Sequence, residues 1–210
     1  MNRLRLWLAR VAGLALVTTL VTIAVLAQAN AVQTQKIFEG IGVKEGATIC
    51  EIGAGDGALT IEAAKIVGAT GRIYSSELGD ERLKALRRKV ADSGLQQITV
   101  VDGSVDRTNF PDATCDGVFL RNVYHHFAEP ASMNASIKAA LKPGGRLAVI
   151  DFSPPKDEAP TAAGRSKDGR HGVKAETVAK EAKDAGFEAV STVPGDNRWY
   201  MVLLQKPVPQ

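Results

Sequence analysis

Apolar and polar residues follow two alternating periods along this chain. "ATICEI", "GRIYSS", "QITVV", "DGVFL" and "RLAVIDF" are short apolar runs bounded by glycine, aspartate or other turn residues, and each predicts a strand. "GALTIEAAKIV", "DERLKALRRKVADSG" and the stretch from about Pro130 to Leu141 carry their apolar residues at helical spacing. Gly68 stops the first of these helices, Asp80 caps the second and Gly94 ends it, and Pro143 and Gly144 of "KPGG" forbid continuation of the third. A shorter helix is predicted from Gln33 to Ile41, ending in Gly42. Strand and helix thus alternate at roughly 20- to 30-residue intervals, the pattern of an α/β fold with a parallel sheet and helices on both faces.

The end of the chain breaks that rhythm. "VKAETVAKEAKDAG" is helical, but "FEAVSTV" and "NRWYMVLLQK" are separated only by "PGD". So short a link has no room for a parallel crossover, so these last strands are expected to pair antiparallel. Ser153 to Gly172 is polar and rich in Pro and Gly, and reads either as a loop over a site or as disordered chain.

The first thirty residues look separate. Arg3, Arg5 and Arg10 precede an apolar run from Val11 to Ala27, and Ala27 and Ala29 fit a small-x-small cleavage site, so residues 1–29 read as an export signal. An uncleaved anchor through residues 4–27 is the alternative, and in a bacterial source either places the domain, 30–210, in the periplasm or outside the cell. The leader also owns the basic charge. The chain holds 26 Lys and Arg against 23 Asp and Glu; removing three leader arginines leaves a formally neutral remainder, which gives no argument for nucleic acid. Arg82, Lys84, Arg87, Arg88 and Lys89 crowd one helix, but Leu83, Leu86 and Val90 form its buried stripe and the charges its solvated face. Cys50 and Cys115 lie in apolar runs without metal-ligand spacing, so core packing is expected, with a disulfide conditional on their strands being neighbours.

Candidate chemistry begins at "TICEIGAGDGALT". Gly53, Gly55 and Gly57 occupy the turn between the first strand and the first long helix, where a ligand can approach the backbone and free helix amides face it. Glu77 ends the next strand about twenty residues on, the place from which an acid accepts hydrogen bonds from both ribose hydroxyls. "GAGDGA" also satisfies a dinucleotide pattern with Ala58 in the last place, so the pair supports a nucleotide-like ligand without naming its reactive end.

"EIGAGDGALT", the strand-final Glu77, "FPDATCDGVFLRNVYHHF" and "LKPGGRLAVIDF" together resemble the signature blocks of class I methyltransferases that use S-adenosylmethionine (SAM). The resemblance is strongest to small-molecule-type domains, in particular a bacterial group of exported methyltransferases, and covers about Gln33 to Gln205. It implies a Rossmann-like sheet of seven strands in the order 3-2-1-4-5-7-6 with strand seven antiparallel. It further implies a SAM site in which Glu51, Gly53 and Ala54 lie near the amino-acid end, Gly55 and Gly57 pack under the ligand, and Glu77 holds the ribose. Gly103, Ser104 and Val105 would flank the adenine, and Arg121 and Asn122 would line the mouth. Where many relatives carry an acid after the glycine of the adenine segment this chain has Ser104, between Asp102 and Asp106, so the group reading the adenine amine stays open.

Methyl transfer from a sulfonium is an in-line displacement in which positioning supplies much of the rate. The catalytic candidates are Tyr124, His125 and His126, directly after "RNV"; a histidine there can take a proton from an oxygen or nitrogen nucleophile, and sequence does not separate the pair. No metal site is expected, because adjacent histidines usually point apart and His171 is distant in the chain. Asp151 is either a pocket acid or a loop cap, and Arg170 with His171 either fold over the substrate or belong to a solvated linker. The expected activity is methyl transfer to a small molecule. Scarcity of SAM outside the cytoplasm keeps a non-catalytic binding module for a nucleoside-like ligand as the alternative, with a nicotinamide oxidoreductase third.

Overall fold

The computed structural model describes residues 33–166 and 171–209. The predicted leader and Arg170 lie outside the described residues. The chain divides into a unit from Met1 to Lys36 and a second from Ile37 to Gln210, which carries everything below.

Seven strands form one sheet: β1 (Thr48–Ile52), β2 (Arg72–Glu77), β3 (Ile98–Asp102), β4 (Cys115–Arg121), β5 (Leu141–Phe152), β6 (Glu188–Pro194) and β7 (Trp199–Gln205). Their spatial order is β3-β2-β1-β4-β5-β7-β6. The first five pair in parallel, and β7 runs antiparallel to both β5 and β6. The helices are α1 (33–41), α2 (Ala58–Val67), α3 (Asp80–Ser93), α4 (Pro130–Ala140) and α5 (Ala175–Asp184). Architecture, strand order and the terminal antiparallel pair all agree with expectation; Gly195–Arg198 make the turn of that hairpin, with Gly195 N–H donating to Trp199 C=O at 2.7 Å.

Strands buried on both faces need two apolar layers. On one face Cys50, Val118, Leu120, Leu147 and Val149 pack with Met133 and Ile137 of α4 and Val178 and Ala182 of α5. On the other, Ile49, Phe119, Ala148 and Ile150 meet Ile37, Phe38 and Ile41 of α1 and Leu59, Ala63 and Val67 of α2. Helix α3 buries Leu83 and Leu86 of its predicted stripe, leaves Val90 only half-buried, and exposes Arg82, Lys84, Arg87, Arg88 and Lys89. Because every parallel strand ends on the same edge, the loops after β1, β2, β3 and β4 converge there, and the site must form among them.

Two local expectations, the Asp80 cap and separate core thiols, are corrected. Asp80 does not cap α3: Gly79 holds the cap position without a side-chain bond, and Asp80 with Glu81 forms the first turn, where their charges favour the helix dipole. The third helix ends at Ala140, before "KPGG" as expected, and that stretch opens β5, with Gly144 N–H donating to Lys206 C=O and Lys206 N–H to Gly145 C=O, both at 2.9 Å. Cys50 and Cys115 are a disulfide rather than separate core thiols. β1 and β4 are neighbours, and Cys115 lies in the same buried cluster as Cys50, where the pairing of β4 with β5 is irregular between Cys115 and Gly117.

Candidate active site

A cavity of about 650 Å³ opens at the carboxyl edge of the sheet. Its lining includes Gly53, Gly55, Glu77, Gly103, Ser104, Val105, Arg121, Asn122 and His126. All nine are residues singled out in the sequence, contributed by four separate βα connections. This is a volume suited to a drug-sized ligand.

The glycine turn is needed for two different reasons. Gly53 adopts φ 70°, and a Cβ there would stand 2.4 Å from Cγ2 of Val123, so the turn passes too close to the β4 loop for any side chain. Gly55, at φ 56°, has open space where its Cβ would be, on the cavity side. Gly53 and Ala54 both donate their amides to Ser76 C=O at 2.9 Å, which ties the turn to the end of β2. Glu77 completes the tie. Its Oε2 accepts from Gly55 N–H at 2.7 Å and its Oε1 from Leu78 N–H at 2.8 Å. The side chain is buried, yet each carboxylate oxygen keeps a further lone pair for a ligand hydroxyl.

Opposite the glycines, Leu78 and Val105 stand out as exposed large apolar residues, and both line the cavity. Gly103 lets the β3 loop close on β2, its N–H donating to Glu77 C=O at 2.9 Å. Ser104 Oγ donates to Asp106 Oδ1 at 2.6 Å, which holds Asp106 below its usual carboxylate range. At the mouth Asn122 takes the left-handed conformation, φ 62°, and its N–H donates to Ile150 C=O at 2.9 Å. Asn tolerates that conformation better than most residues, and it aims the following turn across the cavity.

Glu51, Ala54 and Gly57 are not at the cavity wall. Gly57 caps α2, where a Cβ would stand 2.8 Å from Cδ1 of Leu86, and Ala54 is buried in the turn. Glu51 points beneath α2, where Thr60 Oγ1 donates to its carboxyl and also lies 2.8 Å from Ser75 Oγ. Burial pushes the Glu51 carboxyl up to about 8 against weaker downward pulls from the Thr60 bond and Arg121. The folded state therefore holds a proton that the unfolded chain releases above the ordinary value of 4.5. Stability from this group is complete below that value and is lost as pH rises toward about 8. Glu51→Gln is accordingly expected to flatten the pH dependence of stability, checked by urea unfolding at about pH 5 and about pH 8.

The catalytic candidates occupy a 3-10 turn, Tyr124–His126, directly after β4. The structure separates them. Tyr124 is fully buried; its OH donates to Glu181 Oε2 at 3.1 Å and accepts from Asn134 Nδ2 at 2.8 Å, and burial raises its pKa. It does not reach the cavity. His125 is also buried, with Nδ1 2.8 Å from Oδ1 of Asp151, itself fully buried at the end of β5. His126 alone of the three lines the cavity. Burial, then the neighbouring His125 and His171, lower its pKa, so its imidazole is neutral at neutral pH.

His171, distant in the chain, meets this turn, which its sequence position does not indicate. Its Nε2 is 2.8 Å from His125 Nε2, and the adjacent histidines do not point apart: the His125 and His126 ring centroids are 4.0 Å from each other. Also missed were Leu78, Arg107 and Met133 in the cavity wall. Leu78 had a signal, being an apolar residue directly after the strand-final acid; the other two are brought in by the fold alone.

A methyltransferase domain family model matches residues 50–149. The ubiquinone/menaquinone biosynthesis C-methyltransferase UbiE of Marinomonas sp. is 32% identical over 118 residues, 56% of this chain and 47% of that protein. The chain thus spans about half the length of the curated relatives it matches. Among solved structures, a SAM-dependent methyltransferase from Aquifex aeolicus superposes with TM-score 0.70 at 26% identity, covering 82% of this chain and 89% of the other. The [4+2]-cyclase SpnF superposes with TM-score 0.75 at 17% identity over 87% of this chain and 83% of that one, a likeness of fold. With the strand order, the glycine turn and the strand-final acid already in place, these matches make residues 50–149 similar to a methyltransferase domain and give the chain the fold of SAM-dependent methyltransferases.

Proposed function

We propose that this protein binds SAM in the carboxyl-edge cavity and transfers its methyl group to a small molecule. The observation that carries the reading is Glu77, whose buried carboxylate accepts from Gly55 N–H of the glycine turn at the wall of a cavity of suitable size. Glu77 would hold the ribose hydroxyls. Leu78 and Val105 would cover the faces of the adenine, beside Gly103 and Ser104. Gly53, Gly55 and Arg121 would meet the amino-acid end, Arg121 supplying a cation for its carboxylate.

SAM supplies an electrophilic methyl on a sulfonium. What the chain must supply is alignment: the loop after β4 would hold the acceptor against the methyl, and the apolar Val123, Phe127 and Met133 of the wall would exclude water. His126 would contact the acceptor, as the one catalytic candidate at the wall. The acceptor class is small molecules rather than nucleic acid, in keeping with the neutral charge balance beyond the leader.

Export is part of the same proposal. Beside the leader pattern, the Cys50–Cys115 disulfide supports an oxidising compartment. SAM made in the cytoplasm would then have to reach the domain, and the second reading, a binding module on this scaffold, follows from that conflict. SpnF, a cyclase on the same fold, illustrates that the scaffold alone does not fix the chemistry. Calorimetric titration of the protein with SAM, and separately with NAD, tests the reading. Saturable SAM binding in the micromolar range with none for NAD is expected; a folded protein that takes up no SAM would overturn it.

A further inference from the structure

We propose that His125, His126 and His171 form a binding site for a divalent transition metal of the zinc class, at the edge of the cavity. One ligating nitrogen from each histidine lies within 4.8 Å of the other two. Three imidazoles with a free fourth position are the donor set of catalytic zinc sites, and imidazole suits zinc, copper, iron and nickel better than magnesium or calcium.

Two further observations point to a cation rather than to a chance cluster. The first is the carboxylate behind the site. Asp151, fully buried, receives Nδ1 of His125 at 2.8 Å and the His125 backbone N–H at 3.1 Å. This fixes the proton on Nδ1 and leaves the Nε2 lone pair of His125 pointing into the cluster, the arrangement by which carboxylates orient metal-bound histidines. The second is the meeting of His125 Nε2 and His171 Nε2 at 2.8 Å. Two such nitrogens are joined either by one shared proton or by one cation. Metal–nitrogen bonds of about 2.0–2.1 Å in a tetrahedral site set ligand nitrogens about 3.3 Å apart. Reaching that spacing falls to His126 and His171, both exposed, around the buried and anchored His125.

The segment that brings His171 is itself fastened at this point. Val173 N–H donates to Phe152 C=O and Gly172 N–H to Arg165 C=O, each at 3.0 Å, and the His171 ring packs edge-on against Phe152. A metal here would join the β4 loop, through His125 and His126, to the chain returning from β5. Its open position would lie on the cavity side, where His126 is, and would take an oxygen or sulfur of the acceptor. The inference stands whether or not the cavity binds SAM.

The test is titration of tag-free, chelator-treated full-length protein with Zn²⁺ alone, followed by calorimetry, and with Co²⁺, followed by its visible ligand-field absorption. One equivalent of saturable Zn²⁺ and a tetrahedral Co²⁺ spectrum are expected. Asp151→Asn should weaken Zn²⁺ by roughly 10- to 100-fold. His171→Ala and His171→Gln, at an exposed position, should abolish the tetrahedral spectrum without loss of folding, as judged by circular dichroism. Absence of stoichiometric Zn²⁺, or equal Zn²⁺ affinity in both His171 variants and the parent, would overturn the site and leave the two nitrogens sharing a proton.

Discussion

Glu77→Ala is expected to weaken SAM binding by roughly ten- to a hundredfold, about 1.4 kcal/mol for each factor of ten. Two losses add in the same direction. The first is direct: a carboxylate that accepts ligand hydroxyls makes charge-assisted bonds worth about 1.5–3 kcal/mol each. The second is preorganisation, because Glu77 Oε2 also fixes Gly55 N–H and so the path of the glycine turn. Glu77→Gln keeps one carbonyl oxygen but turns an amide toward either Gly55 N–H or the ligand, so an intermediate affinity is expected. The ion pair with Arg82, at 3.7 Å and on an arginine mostly in solvent, contributes little to either result. Calorimetry on both variants, with thermal melts to confirm folding, checks the assignment. Unchanged SAM affinity in a folded Glu77→Ala protein would remove the ribose role.

Removing the disulfide is expected to have the largest effect on stability. The bridge closes a loop between residues 65 apart. In the chain-entropy model a loop of that size is worth about 4 kcal/mol. For a domain of this size that corresponds to a fall in Tm of roughly 10 °C. Cys50→Ala with Cys115→Ala, compared with the parent by thermal and urea unfolding, measures it. A Tm within a degree or two of the parent would mean that the packing of β1 on β4, and not the cross-link, carries this part of the core.

Where one rule of chain geometry dominates, the sequence was legible. Strand and helix periods, the Gly68 and Gly94 stops and the short link before β7 each depend on neighbours in the chain, and each appears in the structure. Asp80 misled because an acid fits both the cap and the first turn of a helix, and only the Gly79 conformation decides between them. "KPGG" marked the helix stop correctly, but its place in β5 was not legible because its pairing partner, Lys206, is far along the chain. The disulfide needed the adjacency of β1 and β4, which a spacing pattern does not encode.

The site divides along the same line. The glycine turn, Glu77, Gly103 and Asn122 sit at strand ends, so knowing the strands nearly places them. Tyr124, His125 and His126 share one turn of chain, yet the structure sends the first into the core, the second against Asp151 and the third to the cavity. In a 3-10 turn successive side chains point about a third of a revolution apart. Which way each points depends on the absolute orientation of the turn, and sequence does not carry that.

The strand order also splits the cavity by ancestry along the chain. Everything proposed to grip the nucleoside comes from β1, β2 and β3 and their loops, while the cavity surface left for an acceptor comes from the end of β4, the turn after it and Met133 of α4. Cys50 and Cys115 weld the two halves at their seam, strand to strand, beneath the site. Such a layout permits transplantation. The acceptor side could be exchanged with that of another methyltransferase of this fold at the loop after β4 while the nucleoside grip, its cross-link and its supporting core stay as they are.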